Sequence, residues 1–224
     1  MKQSMKAILW DLDGTIINSE EGITKCVQYA LRAQGIDEPD LKKLLCFIGP
    51  PLEPVFREKY GMTADEAWKS VIKYRERFDV AGIFECQLYD GVKDVIIDMK
   101  CKGYRLALAS SKPETACKRI LKHFGLTSYF DEVVGSTLDG SISTKQQVLE
   151  ELERRMASWG IGKDEMCLIG DTKYDAAGAK AFGIRCIGVS YGFGTREEML
   201  AAGAEVVFDK IEEVETYIEE FKEL

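Results

Sequence analysis

Residues 7–19 read AILWDLDGTIINS. Four apolar residues, Ala7 to Trp10, run straight into two carboxylates, Asp11 and Asp13, followed by Gly14 and Thr15. The apolar run predicts a buried strand. A buried strand that ends in two acids one residue apart needs an explanation, because like charges repel and an unpaired buried carboxylate is costly. Positive charge between the two, chemistry at the strand end, or both, would supply it.

Outward from this strand (Lys6 to Asp11), the chain first reads as helix only. NSEEGITKCVQYALRAQG predicts a helix capped by Asn18, with Glu21 completing a capping box and Gly35 closing it. Two short helices broken at Gly49-Pro50-Pro51 follow, then an amphipathic helix over TADEAWKSVIKYRERF, with Ala67, Val71, Tyr74 and Phe78 on one face. After YDGV the pattern alternates. A helix over Val92–Lys102 leads to the strand Tyr104–Ser110 and a helix with Pro113 in its first turn. DEVVGS, EMCLIGD, IRCIGVS and AEVVFD are further strands, each separated from the next by a helical stretch. Strands alternating with helices predict a parallel sheet covered on both faces. The expected fold class is therefore α/β: a Rossmann-like, doubly wound parallel-sheet core, residues 1–17 and 89–224, with an inserted all-helical cap, residues 18–88.

Open parallel sheets bind ligands outside the carboxyl ends of their strands. Three strand ends here carry polar side chains: Asp11 and Asp13, then Ser110 and Ser111, then Asp171 with Asp175. With Lys145 in STKQQV, the segments DLDGT (11–15), LALASSKP (106–113) and IGDTKYD (169–175) resemble the haloacid dehalogenase-like superfamily, specifically its phosphoglycolate phosphatase-like branch with a helical cap. Order and spacing agree over nearly the whole chain.

The resemblance implies a role for each residue. Asp11 is the expected nucleophile, attacking phosphorus to form an aspartyl phosphate. Asp13 is the expected general acid, then base. Mg²⁺ is the implied cofactor, held by Asp11, the main-chain carbonyl of Asp13 and Asp171, an oxygen set that suits this ion. Asp175 stands behind it or pairs with Lys145. Ser110, Ser111 and Lys145 are expected to hold phosphoryl oxygens beside a helix N-terminus, with Lys145 also stabilising charge. An acid at position 13 fits phosphatases and the related sugar phosphomutases, because an alkoxide leaving group needs a proton. Asn18 and Ser111 depart from the residues most common in relatives, aspartate and asparagine. Away from the resemblance, Asp-Gly after a strand is also an ordinary turn, and serines before a helix are ordinary caps.

Bulk properties agree with an anionic small-molecule substrate held locally. The chain has 224 residues, 46% of them apolar and 30% charged, and a formal net charge of −8. That balance argues against nucleic-acid or anionic-membrane partners, which need a basic surface. One cation and one lysine suffice to reverse the field at a single site. No apolar run approaches a membrane span, and the N-terminus lacks the features of a signal peptide. Seven cysteines, none at CxxC spacing, predict reduced, buried thiols and a cytoplasmic protein. A monomer and a homodimer are both compatible with the sequence.

Other motifs compete less well. GVSYG (188–192) matches the G-x-S-x-G nucleophile elbow around Ser190, but the one histidine, His123, precedes it and ends a helix. YGFGTREEML reads as a loop leading into a helix. Lys112, Arg57 and Lys59 are candidate anion contacts, though lysines and arginines at such positions are more often solvated surface charges. Gly49-Pro50-Pro51 is either a plain helix break or a cap loop facing substrate, and an inward Glu53 would disfavour a carboxylated substrate. Phosphoglycolate, nucleoside monophosphates and sugar phosphates all remain open. A β-phosphoglucomutase-like mutase is the alternative enzyme. A non-catalytic binding protein is the alternative from another class.

Overall fold

β1 spans Ala7–Trp10, and all four residues are buried, as expected of a strand covered on both faces. The computed structural model describes residues 5–220. Beyond β1 come β2 (Ile17–Asn18), α1 (Glu20–Ala33), α2 (Leu52–Tyr60), α3 (Ala64–Phe78), β3 (Gln87–Leu88) and α4 (Val92–Cys101). The chain continues through β4 (Arg105–Pro113), α5 (Glu114–His123), β5 (Glu132–Ser136), α6 (Lys145–Met156), β6 (Met166–Gly170) and α7 (Lys173–Phe182). It finishes with β7 (Arg185–Val189), α8 (Arg196–Ala202), β8 (Val206–Phe208) and α9 (Ile211–Glu219).

Six strands form one parallel sheet in the order β5-β4-β1-β6-β7-β8. The chain builds outward from β1 to one edge, then returns and builds to the other. This is the doubly wound α/β arrangement, with its reversal point beside β1. One face of the sheet buries Ala7, Leu9, Ala107, Ala109 and Leu168 against Val148, Leu149 and Leu152 of α6 and Ala176 and Ala179 of α7.

Register positions the strand ends. Trp10 lies beside Leu108 of β4 on one side and Ile169 of β6 on the other. Asp11 follows Trp10 directly, while Ser110 and Asp171 each follow two residues after the paired position. The pairing therefore brings all three to the same edge of the sheet.

The chain divides into two compact units. One runs to Ile17 and resumes at Leu88; the other is Asn18–Gln87. Within the second, 3₁₀ turns over Leu41–Phe47 replace the first of the two short helices expected before α2. Phe47 packs on Phe56 with ring centroids 4.6 Å apart. Ala67, Val71, Tyr74 and Phe78 of α3 are all buried. Thr63 caps α3 and shares a reciprocal capping box with Glu66.

Local details differ from the sequence reading. Asn18 and Glu21 form no capping box. Asn18 belongs to β2, so α1 starts later, at Glu20, and the Asn18 side chain accepts the Glu20 N–H in a short turn instead. Pro113 precedes α5 rather than lying in its first turn, because β4 runs three residues further than Ser110. β2 and β3 form a two-stranded sheet of their own, too short to leave a period in the sequence.

Candidate active site

After β1 the backbone folds back on itself. The Leu12 carbonyl accepts N–H groups from Thr15, Ile16 and Ile17, and Gly14 N–H bonds the Ile17 carbonyl. Gly14 takes φ = +85°, where a side chain is strained, and a Cβ there would stand 1.9 Å from Asp171 Oδ2. The tight turn brings Asp171, from the far end of β6, against the first loop.

Asp11, Asp171 and Asp175 are buried, and each offers an oxygen within 4.8 Å of the others. Lys145, at the start of α6, reaches into this group. Its Nζ lies 2.6 Å from Asp11 Oδ1 and 2.8 Å from Asp175 Oδ1, and it donates to the Ala109 carbonyl at 2.7 Å. Three partners match the three protons of an ammonium. Burial alone would favour neutral lysine, but the two carboxylates outweigh it and hold Lys145 protonated. Gly178 of α7 allows the approach, since a Cβ there would sit 2.6 Å from Lys145 Cγ.

Asp175 has a second task. Its Oδ2 accepts the Thr172 N–H at 3.0 Å and the Thr172 hydroxyl at 2.8 Å, capping α7. With both oxygens engaged by protein groups, Asp175 serves to hold Lys145. Asp171 accepts the Thr15 hydroxyl on Oδ1 at 3.2 Å and the Phe193 N–H on Oδ2 at 2.8 Å. Ser110 is buried, and its Oγ accepts the Lys112 N–H at 3.3 Å. Ser111 is half-buried in β4, next along the chain.

Asp13 is treated differently from Asp11. Its Oδ2 pairs with Lys112 Nζ at 3.1 Å, and its buried Oδ1 has no hydrogen-bond partner among the described residues. Of the two readings of Lys112, the solvated surface charge is the wrong one: its side chain is only 7% exposed. Position 112 lies at the end of β4, beside β1, so the strand order turns it towards Asp13. The opening question has its answer here. Each aspartate of the pair has its own lysine, Lys145 for Asp11 and Lys112 for Asp13.

The balance is still negative. Four carboxylates stand against two ammonium groups. Burial first, then the neighbouring Asp175 and Asp13, push the Asp11 carboxyl up to about 7 despite Lys145. Burial, Asp175 and Asp11 likewise raise Asp171 well above the carboxylate range. A buried all-oxygen set with excess negative charge fits a hard divalent cation such as Mg²⁺.

The remaining motifs fall away from this centre. Ser190 bonds Asp209 and the Phe208 carbonyl, so GVSYG is no nucleophile elbow. His123 ends α5, its ring edge-on to Phe124. Arg57 pairs with Glu53 and Lys59 with Glu58 on exposed surface. Cys26, Cys117, Cys167 and Cys186 are buried, but Cys46 and Cys101 are exposed, contrary to the expectation of buried thiols. They lie on outer positions of the 3₁₀ segment and the last turn of α4. Among the described residues no helix is long and apolar enough to cross a membrane.

A sequence model of haloacid dehalogenase-like hydrolases matches residues 8–189, from β1 through β7. The chain belongs to the haloacid dehalogenase-like hydrolase family. It is 42% identical over 194 residues to a 5'-nucleotidase of Pseudomonas aeruginosa, covering 87% of this chain and 86% of that protein. It is 32% identical over 193 residues to the tyrosine-protein kinase PtkA of Mycobacterium tuberculosis, covering 86% of this chain and 64% of that protein. The crystal structure of a predicted phosphatase from Clostridium acetobutylicum superposes with a TM-score of 0.91 at 41% identity, covering 97% of this chain and 100% of that one. Within the haloacid dehalogenase-like family, this chain groups with phosphoric monoester hydrolases.

Proposed function

We propose that the protein is a Mg²⁺-dependent phosphatase that hydrolyses a small phosphate monoester through an aspartyl phosphate on Asp11. The observation that carries this reading is the pairing of Asp11 with Lys145 at 2.6 Å inside a buried cluster of carboxylates, with Asp13 beside it on a separate lysine.

A carboxylate oxygen of Asp11 attacks phosphorus. The bond from phosphorus to the ester oxygen breaks, and Asp13 gives that oxygen its proton. Water then attacks phosphorus, Asp13 takes a proton from it, and the Asp11–phosphorus bond breaks to release phosphate. The unpartnered Oδ1 of Asp13 suits a group that exchanges protons with a ligand. Lys145 favours the ionised form of Asp11 against its burial and offsets charge on the phosphoryl group. Ser110 and Ser111, with backbone N–H groups at the start of α5, are assigned to the phosphoryl oxygens. Asp11, Asp171 and the Asp13 carbonyl are the groups that would hold Mg²⁺. When bound, the ion would neutralise negative charge and orient the phosphoryl oxygens.

The relative at 42% identity makes nucleoside 5'-monophosphates the favoured substrate class, ahead of phosphoglycolate and sugar phosphates. The buried cysteines and acidic charge balance support a cytoplasmic enzyme without nucleic-acid or membrane partners. The test is a screen of phosphate monoesters, with Mg²⁺ or with EDTA, read as free phosphate. Mg²⁺-dependent release from nucleoside monophosphates is expected. Equal release by Asp11→Asn would overturn the nucleophile assignment. Interconversion of glucose phosphates without free phosphate would make the enzyme a mutase.

A further inference from the structure

The glycine-rich loop after β7, YGFG at 191–194, belongs to neither the nucleophile motif it resembles nor the phosphoryl site proposed above. Its contacts converge on one side chain. Phe193 N–H donates to Asp171 Oδ2 at 2.8 Å. A Cβ on Gly192 would stand 2.3 Å from that same oxygen and 2.4 Å from the Gly14 carbonyl. A Cβ on Gly194 would stand 2.3 Å from the Asp171 carbonyl. The Tyr191 hydroxyl donates to the Thr15 carbonyl at 2.9 Å, and Thr15 in turn donates its own hydroxyl to Asp171 Oδ1. Tyr191 is braced by Tyr89, with ring centroids 4.6 Å apart.

We propose that residues 191–194 and Thr15 form a clamp that sets the orientation of Asp171 for a divalent cation, making Thr15, Tyr191 and Gly192 positioning residues of the cation site. The inference rests on the reading that a cation binds at Asp171. One donor on each carboxylate oxygen fixes the plane of the group and leaves each oxygen a free lone pair. Two loops, one after β1 and one after β7, close on Asp171 and meet at Oδ2. Side chains at 14 and 192 would both collide with Oδ2, so the fit depends on glycine at both. At Gly192 the backbone is not left-handed. An alanine there is disfavoured by contact and not by its own conformation.

The experiment is calorimetric titration of the purified full chain with MgCl₂, alongside thermal unfolding in EDTA. Asp171→Asn should remove the binding signal. Thr15→Val, which keeps the shape and loses the donor, should weaken Mg²⁺ affinity about 10- to 100-fold, as loss of a ligand's hydrogen-bond partner does. Thr15→Ser should restore much of that loss. Gly192→Ala should weaken affinity at least as much, and Tyr191→Phe less. Should Gly192→Ala fail to fold in EDTA, the Thr15→Val and Thr15→Ser pair decides alone. Wild-type affinity in both Thr15→Val and any folded Gly192→Ala, with binding still lost in Asp171→Asn, would overturn the clamp and leave the proposed function standing. Absence of Mg²⁺ binding by the wild-type chain would instead overturn the cation reading on which the clamp rests.

Discussion

The two units of the chain handle charge in opposite ways. In Asn18–Gln87, charged side chains pair mostly with near neighbours in sequence and in water: Glu21 with Lys25, Glu53 with Arg57, Asp65 with Lys69, Lys73 with Glu76. At the strand ends of the other unit the pairs are buried and span the chain. Lys145 is 134 positions from Asp11, and Thr15 is 156 from Asp171. Local pairs on helix faces contribute little each and tolerate change. A buried pair that loses one member leaves an uncompensated charge. The helical unit is thus free to vary its surface, while the strand-end cluster is not.

Mutations test that contrast most sharply at the proposed nucleophile. Asp11→Asn should abolish turnover in the phosphate-release assay while leaving the fold intact by circular dichroism. Asp13→Asn should lower kcat on the order of 10²-fold or more, with a smaller loss on aryl phosphates, whose leaving groups need less protonation. Lys145→Met should cost roughly 3–5 kcal/mol in urea unfolding without added Mg²⁺, because Asp11 and Asp175 would be left buried without their cation. A change under 1 kcal/mol would remove the distinction drawn between the two units.

The next effects are smaller. Asp131 accepts the Leu106 N–H at 2.9 Å and pairs with Lys100 at 2.5 Å and Arg105 at 2.9 Å. Burial alone would raise its carboxyl, but these three outweigh burial and hold it below the ordinary carboxylate value of 3.8. A group depressed on folding stabilises above its unfolded value, and that contribution is lost as pH falls through the folded one. Asp131→Asn should therefore flatten the acid limb of stability below about pH 4. In the helical unit, Thr63→Ala should cost about 1 kcal/mol through loss of the α3 cap. Lys69→Ala, at an exposed pair, should leave the unfolding midpoint unchanged.

What was legible in the sequence follows the same division. The apolar run into Asp11, the alternation of strands and helices, and the polar ends of three strands carry their meaning in residue type and order. The place of Lys112 is not legible, because the sequence does not show which way a residue at a strand end turns; the β4–β1 pairing decides that. The clamp on Asp171 leaves little trace in the sequence because its main donor is a backbone N–H, which every residue except proline possesses. The glycines at 192 and 194 were the available signal. Glycine beside a strand adjacent to β6 marks close approach of another chain segment as readily as it marks a nucleophile elbow. Asn18 suits a helix cap by residue type, and only the pairing of β2 shifts the helix start past it.

The strand order has a consequence for how the protein is made. β1 is translated well before its neighbours Arg105–Leu108 and Met166–Ile169 leave the ribosome. At synthesis rates of about 5–20 residues per second, the wholly apolar Ala7–Trp10 segment waits on the order of ten seconds or more for its second flank. Until then the nascent chain carries a sticky segment with unpaired backbone, held soluble by what surrounds it, and its acidic tip at Asp11 and Asp13 acts as a guard against premature association.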